Sequence, residues 1–298
     1  MRLVTRADWD GLVCATLLSL VEQIDFIQFT YPKDVQDSKT SIPNDSIIAN
    51  LPYHPDCAMW FDHHISEEER GVYKHGRFKG KFAQAPSSAR LVYEYYGADK
   101  LRPLAGLVEA TDRIDTAQLT MEDVVNPTGY VSLAYTIDPR TGLKDLDRQA
   151  YFLMLIDLLK TRSVEEILSL PEVRRLTERL RDEDAAFREA LRDHSRLEGN
   201  VVITDFRRLE PPSGNRFIIY TLFPAANVSA RLFDSPDEAV SIISVGHSIF
   251  NRTCQTNVGS LLGEYGGGGH RGVGTAQFPQ AEAEEKFKEI IERLKKAG

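Results

Sequence analysis

The chain has 298 residues, 42% of them hydrophobic, which is enough for one large domain or two ordinary ones. Its 36 basic and 44 acidic side chains leave a net charge of −8. That balance argues against tight binding to duplex nucleic acid, where many Lys/Arg–phosphate contacts are needed, but leaves room for a small anionic substrate in a local basic pocket. Three scattered cysteines without metal spacing (Cys14, Cys57, Cys254), early charge at Arg2, Arg6 and Asp8, and no apolar run near the ~18 residues of a spanning helix predict a cytoplasmic protein away from membranes.

Residues 2–5 read as a strand that runs into Arg6-Ala7-Asp8-Trp9-Asp10-Gly11, and a helix follows with Val13, Leu17, Leu20, Val21 and Ile24 on one face. Strands are predicted over Asp25–Thr30, Ser46–Asn50 and Cys57–Phe61, the last ending in Asp62-His63-His64. Ser87–Tyr96 and Leu104–Thr111 read as helices, the second running into Asp112-Arg113-Ile114-Asp115-Thr116. Ser169-Leu170-Pro171-Glu172 reads as a capping box opening a long charged helix to about Leu197, a connector between two lobes. Beyond Gly199, strands are predicted at Val201–Thr204, Phe217–Tyr220 and Ala239–Val245, with turn-rich Pro211–Asn215 between the first two. A short helix over Asn257–Tyr265 enters Gly266-Gly267-Gly268-Gly269-His270, and an amphipathic helix over Ala281–Lys296 ends the chain. Strands alternating with helices imply parallel pairing with crossover helices in the first part. The expected fold is α/β, with an N-terminal parallel-sheet lobe (1–195) joined by the long helix to a smaller α/β C-terminal lobe (196–298).

Polar residues close three successive strands, at Asp8/Asp10, Asn50 and Asp62/His63/His64. Ligands of open parallel sheets gather outside the carboxyl ends of strands, and mixed imidazole and carboxylate donors suit Mn²⁺, Fe²⁺ or Zn²⁺. Singly, an acidic helix start or a surface His pair explains each feature; the recurrence points to a built site. Four glycines before His270-Arg271 expose backbone N–H groups that could cradle an anion, and Arg252 offers a further guanidinium fork.

Asp8-x-Asp10-Gly11, Asp62-His63-His64, Asp112 and Gly266-Gly267-Gly268-Gly269-His270, in that order and spanning almost the whole chain, resemble the DHH phosphoesterase superfamily with its DHH-associated C-terminal domain. That superfamily includes RecJ-type exonucleases, nano-RNases, cyclic-dinucleotide phosphodiesterases and exopolyphosphatase-like proteins. The resemblance implies an N-terminal metal site, usually Mn²⁺ with Mg²⁺ or Zn²⁺ as alternatives, in one or two ions. It implies Asp8, Asp10, His63 and Asp112 as metal ligands and Asp62, His63 and His64 as the catalytic set, to which Arg6 is added as a cation peculiar to this sequence. A C-terminal lobe across a cleft would bind substrate through Arg252, Gly267, Gly268, Gly269, His270 and Arg271. Metal-activated water would attack phosphorus while a second ion about 3.5–4 Å away steadies the developing charge. A homodimer is compatible with the family.

Two positions depart from the family pattern. Arg6 stands where a ligating His is usual, and Asn50 where a bridging Asp is usual. A guanidinium cannot ligate a metal, so the paired change suggests that Arg6 takes the place of one ion, unless Asp45 or Asp56 supplies the bridge. The expected function is metal-dependent hydrolysis of a phosphodiester or phosphoanhydride in a small (oligo)nucleotide-like substrate. The alternatives are a catalytically silent nucleotide-binding or regulatory protein, and an exopolyphosphatase.

Overall fold

The computed structural model describes residues 1–97, 99–138, 146–210, 212–235 and 240–296. They form two compact units, one built from Met1–Gln118 with the helices between 128 and 177, the other from Leu119–Pro127 and the chain beyond Glu178.

The first unit holds five parallel strands, β1 (Arg2–Arg6), β2 (Phe26–Thr30), β3 (Ile47–Ala49), β4 (Met59–Asp62) and β5 (Lys79–Phe82), in the order β2-β1-β3-β4-β5. Leu3, Ile47, Ala49, Met59 and Phe61 pack on one face against the helices, chiefly Trp9–Val21, while Val4, Ile48 and Trp60 face a smaller aromatic cluster on the other. With both faces covered, the central strands are continuous apolar runs, as parallel sheets require. This strand order reverses direction between β1 and β3, and the carboxyl ends there form the crevice in which such sheets collect ligands. Arg6, Asn50 and Asp62 all stand at those ends.

The turn from β1 into its helix is tight. A Cβ on Gly11 would lie 2.1 Å from the Arg6 carbonyl oxygen, so only glycine fits. The Thr5 hydroxyl lies 3.1 Å from the carbonyl oxygens of both Gly11 and Ala49, tying this turn to β3.

The second unit holds β6 (Ser195–Glu198), β7 (Val201–Asp205), β8 (Val228–Asp234), β9 (Val240–His247), β10 (Gly268–His270) and β11 (Val273–Pro279), in the order β10-β11-β9-β8-β7-β6. Only β7 and β8 are parallel; the other pairs are antiparallel. The helix Gln280–Lys296 covers one face through Ala283, Phe287, Ile290, Ile291 and Leu294. None of the described helices is long and apolar enough to cross a membrane.

Several local expectations change. Phe217–Tyr220 is not a strand: Ile218–Leu222 is a short helix that buries Ile218, Ile219 and Tyr220 together, which the alternating faces of a strand would not do. The first helix stops at Val21, short of Ile24. The long helix Pro171–His194 ends before the sequence predicts, because Ser195–Glu198 pairs with β7 as an edge strand. Ser169 closes the preceding helix, donating its hydroxyl to the Glu166 carbonyl, and the capping box forms at Ser163 with Glu166. Pro211 and Ala239, assigned to a turn and a strand start, lie outside the described residues.

Candidate metal centre

Asp10 sits in the first turn of the helix Trp9–Val21 with a fully buried side chain. Its carboxylate accepts the backbone N–H groups of Ser88 and Ala89, at 2.8 and 2.9 Å, from the start of the helix Ser88–Tyr96. Burial pushes the Asp10 carboxyl upward in pKa despite these donors. His63, just past β4, donates Nδ1–H to the Ala85 carbonyl at 3.0 Å, which leaves Nε2 as the lone-pair nitrogen. That Nε2 is buried, has no hydrogen-bond partner, and lies 3.8 Å from Asp10 Oδ2 and 3.4 Å from Asp115 Oδ2. One donor atom from each of Asp10, His63 and Asp115 falls within 4.8 Å of the others. Asp115 is pushed up to about 8, first by burial and then by the charges of Asp10 and Asp8. Two acids made reluctant to ionise beside the buried, unpartnered Nε2 of His63 are what a cation would relieve, and nitrogen plus hard oxygen suits Mn²⁺, Mg²⁺ or Zn²⁺. The Ala85 carbonyl and the Ser88 and Ala89 amides orient the ligands from behind.

Sequence reasoning missed Asp115. Asp112, expected here, is instead held by Arg90 at 2.9 Å (Nε) and 2.5 Å (Nη2) and by the Ser87 hydroxyl at 2.6 Å. Asp112 thus fastens two helices together one turn before the acid that reaches the site. The repeated acid at i and i+3 in Asp112-Arg113-Ile114-Asp115 was the available signal. A hydrogen bond from Trp9 Nε1 to Thr111 Oγ1, 3.1 Å, ties the helix Ala105–Asp115 to the helix carrying Asp10.

The neighbouring half of the site is arranged differently. Asp8 caps the first helix, accepting from Gly11 N–H at 3.0 Å, and also accepts from Asn50 Nδ2 at 2.9 Å. Its other oxygen lies 2.8 Å from Arg6 Nε. Asn50 holds a left-handed backbone, φ 56°, which asparagine tolerates better than most residues. Arg6 Nη1 donates toward His64 Nε2 at 3.4 Å, and His64 Nδ1–H donates to Asp62 Oδ1 at 2.7 Å. Burial would lower the His64 pKa, but the hydrogen bond and charge of Asp62 outweigh it and hold it above the usual imidazole value. Asp8 is therefore engaged by Arg6, Asn50 and Gly11 rather than by the donors around His63. Asp45 and Asp56 are exposed and outside this constellation. Cys14, buried one turn after Asp10, is kept a neutral thiol by burial and by the nearby acids.

In the second unit, Gly266 and Gly267 donate their N–H groups to the carbonyls of Gly263 and Leu262, which removes both from an anion cradle. A Cβ on Gly267 or Gly269 would lie 2.3 or 2.2 Å from carbonyl oxygens of β11, so these glycines serve close packing of the β10–β11 hairpin. Gly268 faces open space, and His270 and Arg271 are exposed at the hairpin turn. Arg252 is exposed, with Nε donating to the Ile249 carbonyl at 2.9 Å.

No family model matches this chain, and no curated protein sequence matches it. Among solved structures, it is similar to a pGpG-specific phosphodiesterase, PggH, from Vibrio cholerae, at 38% identity and a TM-score of 0.90, over 100% of this chain and 99% of that one. It is also similar to an exopolyphosphatase-related protein from Bacteroides fragilis, at 12% identity and a TM-score of 0.56, over 99% of this chain and 92% of that one. RecJ from Thermus thermophilus in complex with Mn²⁺ matches at 15% identity and a TM-score of 0.51, over 99% of this chain and 52% of that one. The last two likenesses speak to the fold alone.

Proposed function

The chain belongs to the DHH phosphoesterase superfamily, and on that premise we propose that it is a metal-dependent phosphodiesterase acting on a small phosphorylated nucleotide of the pGpG class. The observation that carries this reading is the buried, unpartnered Nε2 of His63 facing Asp10 and Asp115. Those three residues would hold the ion, Mn²⁺ being the candidate. When bound, it would supply Lewis-acid activation of the phosphoryl group and of water.

The remaining roles fall to the chain's own groups. Arg6 is tethered through Nε to Asp8 and through Nη1 toward His64, and its side chain is 37% exposed. The rest of its fork can meet a phosphoryl oxygen, placing fixed positive charge where negative charge develops. Asn50 keeps Asp8, and hence Arg6, in register. His64, held by Asp62, presents Nε2 as the atom that moves a proton to or from the reacting oxygens. Water adds to phosphorus, the P–O bond to the leaving sugar hydroxyl breaks, and the proton released by water ends on the leaving oxygen. Arg252, His270 and Arg271, exposed in the second unit, are the groups we assign to phosphate contact.

Arg6 paired with Asp8 also favours a second reading, a binding protein that no longer turns over substrate. Incubating metal-free protein with pGpG, with and without Mn²⁺, and measuring GMP by chromatography separates the two. GMP release that requires Mn²⁺ and disappears in Asp10→Asn supports the phosphodiesterase. Saturable pGpG binding without release supports the binding protein, and phosphate release from polyphosphate alone favours an exopolyphosphatase.

A further inference from the structure

Among the described residues of the second unit, Arg231 has no acidic partner. Arg231 lies in the middle of β8, with Thr204 of β7 and Ser244 of β9 as its register partners. Alternation along β8 sends Val228, Ala230 and Leu232 into the apolar cluster under the terminal helix, so Ser229 and Arg231 stand on the opposite face. There the guanidinium carbon lies 5.2 Å from the ring centroid of Phe187 and 5.7 Å from that of Phe206. On the same face the Tyr220 hydroxyl meets Ser229 Oγ and donates to the Gly246 carbonyl, both at 2.7 Å.

Among the described residues, Arg231 forms no ion pair and no hydrogen bond; its contacts are the two rings. Other arginines of the protein contrast with it. Arg207 pairs with Asp205 and Glu284, Arg293 with Glu264, and Arg90 with Asp112. Burial lowers the Arg231 pKa, and the only group acting against that is the Tyr220 phenol. The same phenol also feels the charge of Arg216. The residue is half-buried, and rings satisfy the faces of a guanidinium but not its edge, so its N–H donors meet no acceptor among the described residues.

We propose that Arg231 is an oxyanion site on the polar face of the second sheet, and that the anion it takes is the phosphate group of a small ligand. Phe187 and Phe206 fix the guanidinium plane, which leaves its N–H edge available for a bidentate pair. The charge of Arg216 acting on the same phenol and, among the described residues, no carboxylate paired with Arg231 favour a phosphate over a singly charged acid. The site lies wholly in the second unit, and its occupancy is separable from hydrolysis at the first.

Thermal unfolding of the full chain in EDTA, with inorganic phosphate titrated against chloride at constant ionic strength, tests this. GMP and guanosine serve as further arms. The wild type should gain Tm with phosphate and with GMP but not with guanosine; a rise with GMP alone places the site as a nucleotide-phosphate site, and no rise with either overturns the proposal. Arg231→Met should lose at least ten-fold in apparent phosphate affinity, and without phosphate its Tm should equal or exceed that of the wild type. A phosphate response unchanged in Arg231→Met overturns the proposal, as does a lower starting Tm with an unchanged response. If Arg231→Met fails to fold, Arg231→Lys decides the question, since it keeps the charge but not the fork. A weakened response supports the site and an unaltered one overturns it. With metal chelated, none of these outcomes depends on phosphodiesterase activity.

Discussion

Arg6 Nε lies 2.8 Å from Asp8 Oδ2, and the opposite oxygen of Asp8 accepts the side-chain amide of Asn50 at 2.9 Å. The two residues that depart from the family pattern are thus joined through one carboxylate. Against the pattern of a His and an Asp at these positions, Arg6 adds one positive charge and Asn50 removes one negative charge, which together equal the charge of one divalent ion.

This relationship predicts the outcome of reversing both positions. The double variant Arg6→His/Asn50→Asp should raise bound Mn²⁺ from about one to about two per chain, measured by elemental analysis after dialysis. Arg6→His alone should fall short, because it adds a ligand without the bridging charge. Two ions per chain in the unaltered protein would contradict the argument.

Asp112 and Asp115 should separate cleanly. Asp115→Ala should weaken Mn²⁺ binding on the order of 10–100-fold by calorimetry. Asp112→Asn should leave Mn²⁺ binding within a few-fold but lower stability by about 1–3 kcal/mol, because Arg90 loses its charged partner. Denaturant unfolding of both variants reads the difference.

Metal binding should also depend on pH through Asp115. With its carboxyl pushed up to about 8, it carries a proton at neutral pH that an incoming cation must displace. Apparent Mn²⁺ affinity should therefore rise with pH up to about 8 and level off above. Calorimetry at pH 7 in two buffers of different ionisation enthalpy should report about one proton released per ion. In metal-free protein the same raised pKa has the opposite consequence, a contribution to stability that is lost as pH rises from the ordinary carboxylate range through about 8.

Asp184 offers a test in the second unit, away from any metal. Burial raises it to about 6, although it accepts the Asn215 N–H at 2.7 Å. A folded pKa above the unfolded value means that the protonated form is favoured by folding. Its stabilising contribution is complete below about pH 4 and is lost as pH rises through about 6. Asp184→Asn should remove this slope and raise stability at pH 7 by on the order of 1 kcal/mol, allowing for partial solvent screening. Denaturant midpoints at pH 4 and pH 7 check both parts.

Four of the five strands of the first unit, and the placing of Asp10, Asp62, His63 and His64 at their ends, were legible in the chain itself, because those runs stop abruptly at polar residues; β5 was not, since Lys79-Gly80-Lys81-Phe82 carries no apolar run. The motif order likewise carried the family, and the departures at Arg6 and Asn50 could be read as a pair. Short apolar runs carried less: Phe217–Tyr220 fits a strand or a buried helical turn equally well, and only burial on one side decides for the helix. Asp112 and Asp115 are three residues apart on one helical face, so periodicity could not rank them. The Arg90 fork captures the first and leaves the second beside His63, a choice made by how two helices pack. The glycine run signalled close approach, but whether its N–H groups meet an anion or a carbonyl depends on the helix beneath it. Arg231 gave no sign at all, since its lack of an ion pair among the described residues is a property of the folded neighbourhood alone.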